Sequence, residues 1–215
     1  MLRSPAPVPD ADPRVIDPFP RLRWAALAWL AVWFPAYAWN WGFANFLNLC
    51  DLALILTCLG FFASSPLLLS SQAVSSLVVD ALWTLDVVWR LMLGRHLIGG
   101  TEYMWDERFP LALRLLSLFH VGLPPLLLWT LRRVGYDRRA LLLQSAIAAV
   151  VIPLARLAGP EANTNFSHTA PLLHRPLGPP ALHLVLTLAI LVFVIYLPTH
   201  LLLARLYRPS APAKA

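Results

Sequence analysis

Apolar segments nearly as long as a bilayer is thick, or longer, recur from one end of this chain to the other, each closed off by Pro, Gly or Arg. A helix needs about 20 predominantly apolar residues to cross the hydrocarbon core, so this pattern leaves few folds open. Periodic runs fall near 24–42, 45–63, 66–92, 110–131, 139–158 and 180–206, which predicts an all-α, polytopic transmembrane bundle of six helices. Composition agrees, with 59% hydrophobic and 13% charged residues, against about 25% charged in soluble domains. The Pro-rich stretch 1–22 and residues 208–215 are predicted as disordered tails flanking a transmembrane domain at 23–207. The AYA at 36–38 has the look of a signal-peptidase site. The run before it starts too far along and carries too many Trp for a cleaved signal, so a retained first helix is expected. The third segment is long enough to tilt or project, and Pro124 and Pro125 are expected to kink the fourth.

Charge gives an orientation. The formal charge of +6 sits at helix ends rather than on one amphipathic face, so nucleic acid is not an expected partner. With the N-terminus inside, Arg3, Arg14, Arg21, Arg23, Arg132, Arg133, Arg138, Arg139, Arg205, Arg208 and Lys214 are cytoplasmic. Only Arg90, Arg95, Arg108, Arg156 and Arg175 fall outside, with Arg114 inside a helix. That asymmetry obeys the positive-inside rule and predicts N-in/C-in topology, anchored by RRVGYDRR between helices four and five. A single Lys beside so many Arg points to a high-GC bacterium, hence to the inner (cytoplasmic) membrane, with membrane lipids as the partners. Cys50 and Cys58 lie on one helix, about 12 Å of rise apart, and cannot bridge each other.

Most intramembrane polar residues fall in the outer half of this topology, beneath two long outer loops at 94–110 and 159–180. Helix two offers Asn45, Asn48 and Asp51 on one broad face; helix three offers Gln72, Ser76, Asp80 and Thr84 at spacings of four. Helix four places Arg114, Ser117 and His120 just before its double proline. Intramembrane ionisable groups are costly and mark functional cavities by default. Asp51 or Asp80 with His120 would form a carboxylate–imidazole pair able to act as general base or acid. Each residue also has a plainer reading. Asp51 is either the partner of His120 or a cap at the helix start beside Asn48. Asp86 and Arg90 form an i,i+4 ion pair, and Gln72, Ser76 and Thr84 serve as interhelical hydrogen-bonding groups. His120 is alternatively a packed histidine bonded to a carbonyl freed by Pro124. No nucleophile elbow, phosphate loop, HExxH or Cys/His metal set is present, so neither a metal nor a cofactor is expected.

FLNLCDLAL (46–54), SLFHVGLP (117–124) and TNFSHTAP (164–171) resemble motifs of the YwaF-like six-helix integral membrane family. That group is similar to a transmembrane acyltransferase of ether phospholipids and to the androgen-induced and androgen-dependent hydrolases of fatty-acid esters. The resemblance covers roughly residues 45–200 and implies His120 as the catalytic base and Cys50 as the acyl-accepting thiol. The Thr nucleophile of the hydrolase branch corresponds here to Asn48, which is not an acyl nucleophile, and a Tyr of the pattern is replaced by Phe166. On an ideal helix Cys50 lies about 100° from Asp51, so the two do not point squarely into one narrow cavity.

The sequence therefore supports a lipid-acting acyltransferase or hydrolase, with His120 and Asp51 or Asp80 as its acid–base group. Cys50, a lipid hydroxyl or water is the attacking group, and Asn48, Asn165 or Arg114 holds an oxyanion or phosphate. A non-enzymatic lipid- or partner-binding module is the alternative. A proton- or ion-coupled transporter is weaker, because neither internal repeats nor paired broken helices are seen.

Overall fold

The computed structural model describes residues 18–210, which form six helices joined by turns and loops. They are α1 (Leu22–Trp41), α2 (Leu49–Phe62), α3 (Pro66–Leu93), α4 (Leu111–Val134), α5 (Ala140–Ala158) and α6 (Pro180–Leu206). No strand is present among the described residues; Tyr136 and Pro209 make an isolated bridge. Each helix falls on one of the segments expected from hydrophobic periodicity. Three of them, α4, α5 and α6, are long and apolar enough to cross a membrane. By contrast α2 spans 14 residues, or about 21 Å of rise, short of the roughly 30 Å hydrocarbon core. A 3-10 turn at Phe43–Leu47 precedes it. The tails expected at 1–22 and 208–215 lie outside the described residues except at their inner ends, which are packed. Phe19 is buried with its ring 5.1 Å from that of Phe61. Tyr136 N–H donates to the Arg208 carbonyl, and Ser210 N–H to that of Tyr136.

The packing is inverted relative to a water-soluble protein. Leu69 to Ser76 of α3 are all buried, and five of these eight are Ser or Gln. Meanwhile Val185, Phe193, Val194, Leu202 and Leu206 of α6 are exposed. Polar groups inside and apolar side chains outside is the distribution that a hydrocarbon solvent rewards. Small residues on α3 let its neighbours approach closely, and α3 is packed by α2, α4, α5 and α6. The polar contacts between helices are not the ones expected. Gln72 donates to its neighbour Ser71 and Thr84 to the Asp80 carbonyl of its own helix. The interhelical bonds run instead from Gln144 to Ser75 (2.9 Å) and Tyr196 (3.3 Å).

Two prolines act one turn upstream of themselves. Pro124 and Pro125 have no N–H to close onto the carbonyls of His120 and Val121. The α4 ladder gives way ahead of them at Ser117–Leu118, between helical segments Leu111–Leu116 and Phe119–Val134. There His120 N–H reaches the Ser117 carbonyl (3.2 Å) and Val121 N–H that of Leu118 (2.9 Å), both i→i−3 bonds. In α6, Pro198 is preceded by a π-helical stretch, Leu191–Tyr196, the usual accommodation of a proline in a continuous helix.

Aromatic and backbone contacts define two ends. Phe19, Phe61, Trp129, Tyr136, His200 and Arg208 gather at one. The loops 94–110 and 159–179 gather at the other, with the C-terminus of α1 and the N-terminus of α2.

Candidate functional site

The start of α2 is built by three asparagines. Asn45 Nδ2 donates to Asp51 Oδ2 at 2.6 Å, and Asn48 Nδ2 donates to the Asn45 carbonyl at 2.9 Å. Asn165 arrives from the loop 159–179: its Oδ1 accepts from Leu49 N–H at 2.9 Å and its Nδ2 donates to the Leu47 carbonyl at 2.7 Å. It is a long-range cap on an otherwise orphaned first-turn N–H. Asn165 (φ 54°) and Phe166 (φ 56°) hold left-handed backbone, so the same two bonds also restrain a strained turn. The amide groups of Asn48 and Asn165, expected to face a substrate, thus place α2. Asn165→Ala is expected to cost about 1–3 kcal/mol of stability. Hydrogen exchange in detergent would read it as faster exchange of Leu49 and its neighbours; unchanged protection there would refute the cap.

Asp51 therefore takes Asn45 as its partner, the reading nearer to a helix-start role. It is buried, as is Asp80 one helix away, and the two carboxyls are within electrostatic range of each other and of Cys50. Cys50 itself is half-buried. Neither Asp80 oxygen meets a hydrogen-bond donor among the described residues, although the side chain is 0% exposed. Buried carboxylates are normally paired or bonded, so Asp80 is the exceptional residue of the bundle.

His120 lies at the start of the second half of α4, where the helix has broken. Its ring is sandwiched by aromatics: Trp83 of α3 is parallel to it (4.4 Å, 11°) and Phe119 nearly so (4.1 Å, 26°). Nδ1 lies 2.7 Å from the Ser117 carbonyl. A carbonyl only accepts, so Nδ1 carries the hydrogen and the neutral ring presents a lone pair at Nε2. A backbone carbonyl exposed by the helix break orients the imidazole, the service that a carboxylate was expected to supply. Trp83 is three residues beyond Asp80 and so lies on the same side of α3, which brings His120 and the unpartnered carboxyl to one region.

Three further residues, Tyr37, Trp83 and Tyr103, complete the site and carry no sequence mark. Tyr37 of α1 shares a 2.5 Å hydrogen bond with Ser117 Oγ. Trp83 Nε1 donates to the Tyr103 hydroxyl at 3.2 Å, and that hydroxyl also lies within reach of the Ser117 side chain. Tyr103 belongs to the loop 94–110, which folds back because Asp86 gathers it. Asp86 Oδ1 accepts from the N–H groups of Leu97 (2.7 Å), Ile98 (2.6 Å) and Gly99 (3.2 Å), while Oδ2 takes Thr101 and His96. Asp86 does not pair with Arg90, whose guanidinium lies over the Trp105 ring at 5.8 Å. Arg114 is likewise committed to this loop, donating to the Met104 carbonyl at 2.9 Å.

Beneath the polar cluster an apolar cavity of about 500 Å³ runs between α1, α2 and α4. Leu30, Leu54, Thr57 and Leu123 line it; Phe119, next to His120, faces its upper part, and Trp29 and Leu118 on its rim are exposed. No group of His, Cys, Asp or Glu able to hold a metal occurs among the described residues. None of the protein families, curated proteins or solved structures compared with the chain matches it.

Proposed function

We propose that this chain is an integral membrane protein of six helices, N-in/C-in, that performs acyl chemistry on a membrane lipid. Among the described residues, Arg21, Arg23, Arg132, Arg133, Arg138, Arg139, Arg205 and Arg208 lie at or near the end that holds both termini, which supports that orientation. The resemblance to the YwaF-like family and its lipid acyltransferases and hydrolases supports the same reaction class.

The observation that carries the proposal is a buried histidine with a fixed tautomer in the same region as the unpartnered Asp80 carboxyl, at the head of an apolar cavity that opens sideways between helices. A lipid ester would sit at the level of His120 with its acyl chain in the cavity. His120 Nε2 takes the proton from the attacking group, whether lipid hydroxyl, water or the Cys50 thiol, and later returns it to the leaving oxygen. The Tyr103 hydroxyl is a donor for the developing oxyanion. A sideways opening suits a lipid substrate; transport needs a path through both ends.

The test compares the lipid profiles of a host expressing the wild type or His120→Ala at matched, folded levels. A lipid class that shifts with the wild type and not with the variant is expected, through a rate loss of about 10²–10⁴. Identical profiles would instead leave His120 as a packing residue in a non-enzymatic binding module.

A further inference from the structure

The end of the bundle opposite His120 carries a second feature. Arg132 and Arg133 close α4, Arg138 and Arg139 precede α5, and Arg205 and Arg208 lie at the end of α6. Among the described residues of this end the one acid is Asp137. It is bound by Arg139, whose Nη2 lies 2.8 Å from Asp137 Oδ2 and whose guanidinium holds that carboxyl below the usual carboxylate range. Arg132, Arg133, Arg138, Arg205 and Arg208 have no acidic partner among the described residues. Arg132 and Arg208 line a cavity of about 340 Å³ together with Leu131, Leu206 and Tyr207.

This cavity is built rather than incidental. Arg208 is pinned by its carbonyl to Tyr136 N–H (2.9 Å), and its Nη2 donates to the Arg133 carbonyl at 3.3 Å. Tyr136 is fixed in turn by a 2.7 Å bond between its hydroxyl and His200 Nδ1. Arg132 at the end of α4 and Arg208 just beyond α6 thus line one small space, and guanidinium forks are the donors that phosphate oxygens fit. The remaining wall is apolar and continuous with exposed Leu202 and Leu206 on the outer surface of α6. A free anion has no use for that wall, whereas a phospholipid would lay its acyl chains along it. The excess of positive charge selects an anionic headgroup.

We propose that Arg132 and Arg208 hold the phosphate of an anionic phospholipid of the inner leaflet, with its chains on the Leu202–Leu206 face of α6. This rests on the membrane-embedded reading above and not on the chemistry at His120. The test titrates the full chain in neutral detergent with phosphatidylglycerol, phosphatidylcholine or inorganic phosphate and follows the thermal unfolding midpoint. Wild type is compared with Arg132→Gln/Arg208→Gln and with Arg95→Gln/Arg175→Gln, which removes equal charge at the other end.

Phosphatidylglycerol is expected to raise the wild-type midpoint. The Arg132/Arg208 variant should need at least tenfold more lipid for the same rise, and the Arg95/Arg175 variant should behave as wild type. Should the glutamine pair not fold, Arg132→Lys/Arg208→Lys keeps the charge, loses the forks and should show an intermediate loss. Equal responses in all variants would overturn the site in favour of diffuse charge, and saturation by phosphate alone would overturn the lipid assignment. A chain that stays folded and monodisperse without detergent or bilayer would overturn the membrane reading itself.

Discussion

Asp80→Leu is expected to raise the unfolding midpoint while lowering lipid turnover about 10²–10⁴-fold, the range for loss of an acid–base group. The carboxyl is fully buried, both oxygens are without donors among the described residues, and its nearest charged neighbour in effect is another acid, Asp51. Such a group costs stability, because desolvation is not repaid by a hydrogen bond or an opposite charge. An apolar side chain in its place should return about 1–3 kcal/mol, the usual penalty for a buried polar group left unmatched. A residue kept at that cost inside a bundle is the signature of a site in which stability has been traded for chemistry. Asp80→Asn keeps an unmatched polar group and should be equally inactive without that gain. The measurement is a thermal melt in detergent beside the lipid profile of the host. A variant that melts several degrees lower with turnover unchanged would show that Asp80 holds the helices together, and would remove it from the proposed mechanism.

The helices were legible in the sequence because hydrocarbon imposes one solution: each apolar run must satisfy its backbone within itself. His120, Asp51 and Asp80 stood out for the same reason, since ionisable groups within apolar runs are expensive. Partners were harder to read. Asp86 with Arg90 is the pairing that local helical spacing offers, yet the donors that Asp86 uses are backbone N–H groups at 97–99, which have no identity in a sequence. The Gly99–Gly100 pair after His96 was the one trace of that tight turn. Tyr37, Trp83 and Tyr103 were missed because an aromatic residue in an apolar stretch reads the same whether it faces lipid or the interior. Tyr103 also sits in a loop, and only its return onto Trp83 gives it a place in the site. The double proline was read as a kink where it stands. The carbonyls it leaves without an N–H are those of His120 and Val121, whereas the helix breaks earlier still, at Ser117–Leu118, and it is the Ser117 carbonyl that His120 Nδ1 reaches.

Gly135→Ala is expected to be the most damaging single-methyl change at the opposite end. Gly135 has φ 81° and ψ 177°, a backbone region open essentially to glycine alone. A Cβ there would stand 2.9 Å from the Arg208 carbonyl oxygen, the Pro209 carbonyl oxygen and the Ser210 Cα. These are backbone atoms and cannot swing aside as a side-chain end would. Backbone strain alone should cost about 1–3 kcal/mol, and the clash is relieved only by releasing the segment that Tyr136 holds. The expected result is a lower melting temperature, rapid proteolysis beyond Tyr207, and loss of the phosphatidylglycerol response together with the seat of Arg208. Gly122→Ala is the control: no atom crowds its Cβ position, it lies within α4, and helix propensity favours alanine there. If Gly135→Ala melts like Gly122→Ala and keeps its C-terminal segment protected, the pairing of residues 208–210 with Tyr136 is not what shapes this end of the molecule. The lipid site built on that pairing would then fall with it.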